Sequence, residues 1–267
     1  MTMITIGAAS HCGLHRKENQ DYHAYYSPEG GSKNKKGILM ALADGMGGHS
    51  GGAIASRIAI NILMEEYYKD WLEDSIPDSL VQAFHKANAE VIAQSQNNID
   101  LDGMGTTLTA VVFHKDKMYY AHVGDSRGYV IFENRISQFT KDHSYVAGLV
   151  KAGVITEEEA RTHPEKNIIT RAIGIDPDLR VDTSRKHQKT KKDQYVLLCC
   201  DGLYGVVSNE EMVNAVREYR VPDVICEKLI EKANEHGGPD NITAMIARID
   251  SANTISSLTR RFMNLVR

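Results

Sequence analysis

Apolar residues recur along this chain with two periods, arranged in alternating blocks. Short apolar runs bounded by turn residues predict strands near 3–11, 21–27 and 37–43. Two helices should follow. Ile54, Ile58 and Ile62 fall at helical spacing in the first, and Leu80, Phe84, Ala87 and Val91 in the second. Strand patterning returns at 105–113, 117–124, 127–132 and 135–139, and 106–113 is rich in β-branched residues. A helical interlude over 144–162 carries the capping box Thr156-x-x-Glu159. Strands resume at 178–187 and 194–200. One helix then starts at the Ser208-x-x-Glu211 box and another has Pro222 in its first turn, before a last strand over 242–249.

Blocks of strands separated by paired helices do not follow the βαβ rhythm of a parallel sheet. They predict an α+β fold with two packed antiparallel sheets and helices on the outside. No linker, repeat or low-complexity stretch divides residues 1–250, which are expected to form one domain. The segment 251–267 changes character, polar first and then basic and apolar through Arg260, Arg261, Phe262, Leu265 and Arg267. It suits either a basic amphipathic anchor for a partner or anionic surface, or a terminal helix that docks or frays.

Composition narrows the function classes. The chain's 267 residues suffice for a large core, and its net charge of −4 offers no basic footprint for nucleic acid. Met1 to Ile6 lack the pattern of a signal peptide, and no apolar run is long enough to span a membrane. Cys12, Cys199, Cys200 and Cys226 form no CxxC pair, which points to packing thiols in a reducing compartment, so a cytoplasmic location is expected.

The chemistry is carried by aspartates. Asp44, Asp125 and Asp201 each close a strand-like run, while Asp21 and Asp240 each precede one. A carboxylate at the mouth of a buried strand is costly without a positive neighbour, and several converging carboxylates repel unless they share a cation. All-oxygen ligands suit hard ions such as Mg²⁺ or Mn²⁺. The segment Asp44-Gly45-Met46-Gly47-Gly48-His49-Ser50-Gly51-Gly52 ends a strand and opens a helix. It lacks the Lys-Ser/Thr of a P-loop and begins with an acid, so it suits a cation better than a phosphate.

Other short segments accompany it in order. Arg16-Lys17-Glu18-Asn19-Gln20-Asp21 lies upstream. Downstream come Gly105-Thr106-Thr107, Val123-Gly124-Asp125-Ser126-Arg127, Thr140-Lys141-Asp142-His143-Ser144, Thr170-Arg171-Ala172-Ile173-Gly174, Asp201-Gly202-Leu203 and Asp240-Asn241-Ile242-Thr243. Together they closely resemble the metal-dependent protein phosphatases of the PPM (type 2C) family, especially its stand-alone bacterial members, from about residue 7 to 249. The resemblance implies a four-layer αββα sandwich and a phosphatase acting on phosphoserine and phosphothreonine with two or three Mn²⁺ or Mg²⁺ ions. It implies that Asp44 bridges two ions, with the Gly45 carbonyl on one and Asp201 and Asp240 completing the shell of the other. Asp21 would reach the first ion through water, and Asp125 with Asp201 would form a third-metal site. Arg16 would clamp the substrate phosphate, and 144–167 would be the flap beside the active site.

The residues support that chemistry on their own terms. Two cations sharing Asp44 would supply a bridging hydroxide near neutral pH for direct attack on phosphorus. A bidentate guanidinium would hold two phosphoryl oxygens. No protein nucleophile is needed, and neither Cys199 nor Cys200 sits in a Cys-x₅-Arg loop.

Two positions depart from the family's animal pattern. Met46 stands where a histidine is proposed to protonate the leaving group, and Gln20 stands where a glutamate precedes Asp21. His49 is the substitute proton donor, or else it caps the helix or packs beside the glycines. His143 reads as a turn histidine, Arg171 and Asp142 as loop-fixing residues, and Met104 and His163 as packing and flap residues. Expected partners are phosphorylated proteins, among them a Ser/Thr kinase and its substrates, with the chain a monomer. Two alternatives stay open: a non-catalytic regulator of the same fold, and a metal-dependent phosphohydrolase of small phosphate esters.

Overall fold

The computed structural model describes residues 2–28, 36–47, 51–69, 75–184 and 188–251, which excludes His49 and the segment 252–267. Strand β1 (Thr2–His11) pairs antiparallel with β12 (Ile242–Ser251) over its full length, Thr2 opposite Ser251 and His11 opposite Ile242. The same sheet continues through β11 (Gln194–Cys199), β7 (Arg127–Phe132) and β8 (Arg135–Gln138). A second antiparallel sheet runs in the order β10 (Gln188–Lys189), β6 (Lys117–Val123), β5 (Leu108–His114), β3 (Ile38–Met46) and β2 (Asp21–Tyr26). Short strands β4 (Gly105–Thr106) and β9 (Asp182–Thr183) pair with β3 and β6.

The central strands are apolar almost without interruption because both of their faces are covered. Side chains alternate across a strand. In β3, Leu39, Ala41 and Ala43 pack outward against helices α1 (Gly51–Tyr67) and α2 (Ile76–Asn97). Met40 and Leu42 face the other sheet, where they meet Val196, Leu198, Met245 and Ala247. The opposite faces of β11 and β12, with Leu197, Ala244 and Ile246, pack under α6 (Asn209–Tyr219) and α7 (Pro222–Glu235). Three apolar layers thus separate four structural layers, the αββα arrangement expected. No helix among the described residues is long and apolar enough to cross a membrane.

Several local expectations need correction. The buried stripe of α1 is Ala55, Ala59, Ile60, Leu63 and Tyr67, whereas Ile54, Ile58 and Ile62 lie at its half-buried flank. Strand β3 continues past residue 43 because β4 pairs with Gly45 and Met46, so Asp44 lies inside a strand. The 105–113 run is broken at Thr107, whose amide and hydroxyl both turn to Asp44. Of the strand expected over 178–187, residues 185–187 lie outside the described residues, and within 178–184 only Asp182–Thr183 is strand, since Leu179 is drawn into the α1/α2 core and the Arg180 carbonyl is taken by Arg171. The 144–162 interlude is two helices, α3 (Tyr145–Lys151) and α4 (Glu157–Thr162), with Gly153 at φ +70 between them. A one-turn helix α5 (Asp201–Tyr204) caps β11 where the apolar pattern marks only the end of a strand.

Candidate active site

Asp44 is held through its backbone. Its carbonyl accepts from the Thr106 hydroxyl and the Thr107 N–H, both at 2.8 Å, and its own N–H donates to Thr107 Oγ1 at 2.9 Å. Thr107 Oγ1 in turn meets Ser126 Oγ at 2.8 Å. The Gly-Thr-Thr segment and the residue after Asp125 therefore fix the strand end and leave the Asp44 side chain for other work. Asp21 stands directly opposite Asp44 in the β2–β3 register. Gly45 is required beside them, because a Cβ there would lie 2.1 Å from the Gly52 carbonyl oxygen and 2.6 Å from that of Gln20.

The other acids arrive from the second sheet. Asp201 opens α5, and its carboxyl and that of Asp44 are close enough to feel one another. Asp240 lies just before β12, where Oδ1 accepts from the Asn241 N–H at 2.8 Å and Oδ2 accepts from Arg16 Nη2 at 2.8 Å. Asp125 follows β6, is buried, and senses the charge of Asp201. Asp21 Oδ2 accepts from the Thr243 hydroxyl at 2.6 Å, while Asp21 Oδ1 is buried without a hydrogen-bond partner.

The electrostatics record the crowding. Burial first, and then neighbouring carboxylates, push Asp21 up to about 7 and Asp125 up to about 8. The same causes raise Asp44 well above the usual carboxylate range and raise Asp201. Arg16, the cation facing Asp240, Asp201 and Asp44, is driven up by its contact with Asp240. A nest of carboxyls held at this electrostatic cost, with a buried oxygen left unpaired, fits a hard cation by its donor chemistry. The five aspartates and Arg16 expected from sequence are thus brought together, whereas His49 lies outside the described residues.

Residues without an expected role surround them. Asn241 stitches the loop carrying Arg16 to β12: its Oδ1 accepts from the Gln20 N–H at 2.9 Å, and its Nδ2 donates to the Cys12 and Glu18 carbonyls, both at 2.9 Å. An unmet buried partner costs about 1–3 kcal/mol. Asn241→Ala should therefore lower stability by about 2–5 kcal/mol, read as a fall in the urea midpoint of chelated protein. A midpoint within error of wild type would show that the loop holds without it.

Cys200 turns its sulfur to within 4.8 Å of Asp21 and Asp44 ligand atoms, although β11 periodicity marks it only as core. Burial raises the Cys200 thiol well above its ordinary value, so it is a protonated packing group and not a nucleophile. The loop-fixing expectations for Asp142 and Arg171 are met. Arg127 Nε and Nη2 donate to Asp142 Oδ2 at 2.9 and 2.7 Å, and the Arg127 guanidinium stacks on Tyr204 at 3.8 Å. Arg171 Nη1 donates to Asp182 Oδ1 at 2.8 Å. Met104 is buried in the α1/α2 core, and His163 caps α4.

Known proteins share this architecture and these segments. The family model for Protein phosphatase 2C matches residues 13–238. The serine/threonine phosphatase stp of Listeria monocytogenes is 35% identical over 241 residues, covering 89% of this chain and 93% of its own. The S. agalactiae serine/threonine phosphatase structure superposes with a TM-score of 0.84 at 34% identity, over 92% of this chain and 99% of that one. The catalytic domain of PstP, solved in complex with two manganese ions, gives 0.80 at 34% identity over 94% of this chain and 100% of that one. With its two sheets, its acid cluster and its ordered segments all accounted for, the chain belongs to the protein phosphatase 2C family.

Proposed function

We propose that this chain is a metal-dependent phosphoprotein phosphatase that hydrolyses phosphoserine and phosphothreonine, with residues 1–250 as its single catalytic domain. The carrying observation is the convergence of Asp21, Asp44, Asp125, Asp201 and Asp240 beside an arginine, with Asp21 Oδ1 buried and unpaired. Asp44 would be shared between two Mn²⁺ or Mg²⁺ ions, with the Gly45 carbonyl, Asp201 and Asp240 as further ligands and Asp21 acting through water. Asp125 with Asp201 would hold a third ion. When bound, such ions supply an activated water and neutralise phosphoryl charge.

The chain's own groups supply the rest. Arg16 sits 57% exposed with its guanidinium aimed at the acids, placed to grip the phosphate of an incoming side chain by a two-pronged hydrogen bond. Thr106 and Thr107 keep Asp44 from drifting, and Asn241 keeps the Arg16 loop in register. Met46 has no proton to give, so His49 is assigned the proton for the leaving alkoxide on its place in the sequence. The flap 144–167, beside Asp125, would influence which phosphoproteins enter. Substrates would be phosphorylated proteins, including a Ser/Thr kinase and its targets, met by a monomer in the cytoplasm.

The test is a phosphothreonine peptide assayed with Mn²⁺ alongside nucleoside monophosphates. Turnover of the peptide that stops on chelation is expected. A protein that binds Mn²⁺ but turns over no phosphopeptide would be a regulator, and preference for the nucleotide would make it a small-ester hydrolase.

A further inference from the structure

His143 holds Gly124, the residue before Asp125, at two points: its ring at the Gly124 N–H and its backbone at the Gly124 carbonyl. The Gly124 N–H donates to His143 Nδ1 at 3.0 Å, and the His143 N–H donates to the Gly124 carbonyl at 2.8 Å. Gly124 has φ +111, and a Cβ there would strike Thr107, so this peptide is confined. On its other side, the Asp125 carbonyl accepts from the Tyr204 hydroxyl at 3.1 Å. Among the described residues no side chain donates to the Asp125 carboxylate itself. Its position is therefore set by the backbone, and the backbone by His143 and Tyr204.

The ring is fixed in turn. The Gly124 N–H can only donate, so Nδ1 carries the lone pair and Nε2 the proton, with Asp182 Oδ2 lying 3.4 Å from Nε2. Asp182 is pinned by Arg171 Nη1, which also lies 2.8 Å from His143 Nε2 and donates to the Arg180 carbonyl at 3.2 Å. The His122 ring packs against His143 with centroids 4.9 Å apart and is itself held by Thr109 and the Lys141 carbonyl. His143 also lies at the root of the flap. Its carbonyl accepts from the Thr170 N–H, and Tyr145 donates to the Ile168 carbonyl, each at 2.8 Å, so the segment leaves and returns beside this ring.

We propose that His143 is a positioning residue that ties the flap root to Asp125, so that the ion Asp125 holds is bound well only while the Nδ1–Gly124 contact is made. The inference rests on the reading of Asp125 as a metal ligand. Partners lying behind a ligand typically change metal affinity by about 10–100-fold.

The ring nitrogens can be separated chemically. His143→Asn places an amide oxygen near Nδ1 and keeps the Gly124 contact. His143→Gln reaches toward Asp182 and leaves the Gly124 N–H unmet. Bound Mn²⁺ would be counted by electron paramagnetic resonance, with Mn²⁺ activation on a phosphothreonine peptide and the melting temperature of chelated protein in parallel. Asp125→Asn should lose the weakest class of bound Mn²⁺. His143→Gln should follow it, with half-maximal activation at roughly tenfold higher Mn²⁺, while His143→Asn stays near wild type. Asp182→Asn should shift Mn²⁺ activation in the same direction by less, and it probes the relay if a ring variant fails to fold.

If Asn and Gln lose Mn²⁺ equally and in step with their melting temperatures, the ring is only structural and the proposal falls. It also falls if Gln binds Mn²⁺ like wild type. An Asp125→Asn protein with unchanged Mn²⁺ binding would instead remove Asp125 from the ligand set, and the tie with it.

Discussion

Asp44→Asn should reduce turnover of a phosphothreonine peptide by on the order of a thousandfold or more, with little change in fold. The substitution is nearly isosteric. The contacts that hold residue 44 are made by its backbone N–H and carbonyl to Thr106 and Thr107, and these survive. What disappears is the carboxylate that faces Asp21, Asp201, Asp125 and Asp240 together. An amide offers one acceptor oxygen and no charge, which is too little for a site meant to draw in two divalent ions.

Stability should move the opposite way. Asp21 and Asp125 keep their protons in the folded state to about pH 7 and 8, against 3.8 for an ordinary aspartate. A carboxyl raised in this way binds more protons folded than unfolded, so the stability that Asp21 and Asp125 contribute to the chelated protein is fully present below about pH 4 and is lost as pH rises toward 8. Asp44→Asn removes a buried carboxyl that must either stay charged among its neighbours or take up a proton on folding. Its chelated form should melt at or above the wild-type temperature at pH 7.5, while the rise on adding Mn²⁺ shrinks. Turnover within about tenfold of wild type would take Asp44 out of the centre of the mechanism.

The same residues show how far sequence reasoning reaches and where it stops. Asp21, Asp44, Asp125, Asp201 and Asp240 were legible because each breaks an apolar pattern at a place where a lone charge is costly. The layered fold was legible because two-sided burial leaves unbroken apolar runs, as in 39–43 and 195–200. Asn241 and Thr243 sit in a segment already singled out, yet their partners Cys12, Glu18 and Asp21 lie more than two hundred positions away. No local pattern specifies such a bond. Cys200 is the packing thiol expected, but its nearness to Asp21 and Asp44 was not legible, because strand periodicity gives the face on which a side chain lies and not what waits at the end of the strand. Residues 178–181 are not strand because the tether from Arg171 and the burial of Leu179 outweigh local β preference.

Arg16→Ala should lower kcat/KM on phosphopeptides by roughly a hundredfold or more while leaving Mn²⁺ binding intact or slightly tighter. A hydrogen bond to a charged group contributes about 1.5–3 kcal/mol, and a guanidinium makes two at once to a phosphate. The loop carrying Arg16 is anchored by Asn241 and by the Leu14 N–H on the Gly238 carbonyl at 2.8 Å, so shortening the side chain should not release the backbone. Its ion pair with Asp240 is exposed on the arginine side and adds little to folding. Removing Arg16 therefore separates substrate binding from metal binding. The fall should come mainly as a higher KM, and Arg16→Lys should recover only part of it, because an ammonium cannot offer the planar fork. Peptide kinetics at saturating Mn²⁺, set beside Mn²⁺ titrations of the same variants, decide the matter. If Arg16→Ala keeps wild-type KM and kcat, or if its defect is cured by more Mn²⁺, the arginine serves the metal shell through Asp240 and the phosphate is gripped elsewhere.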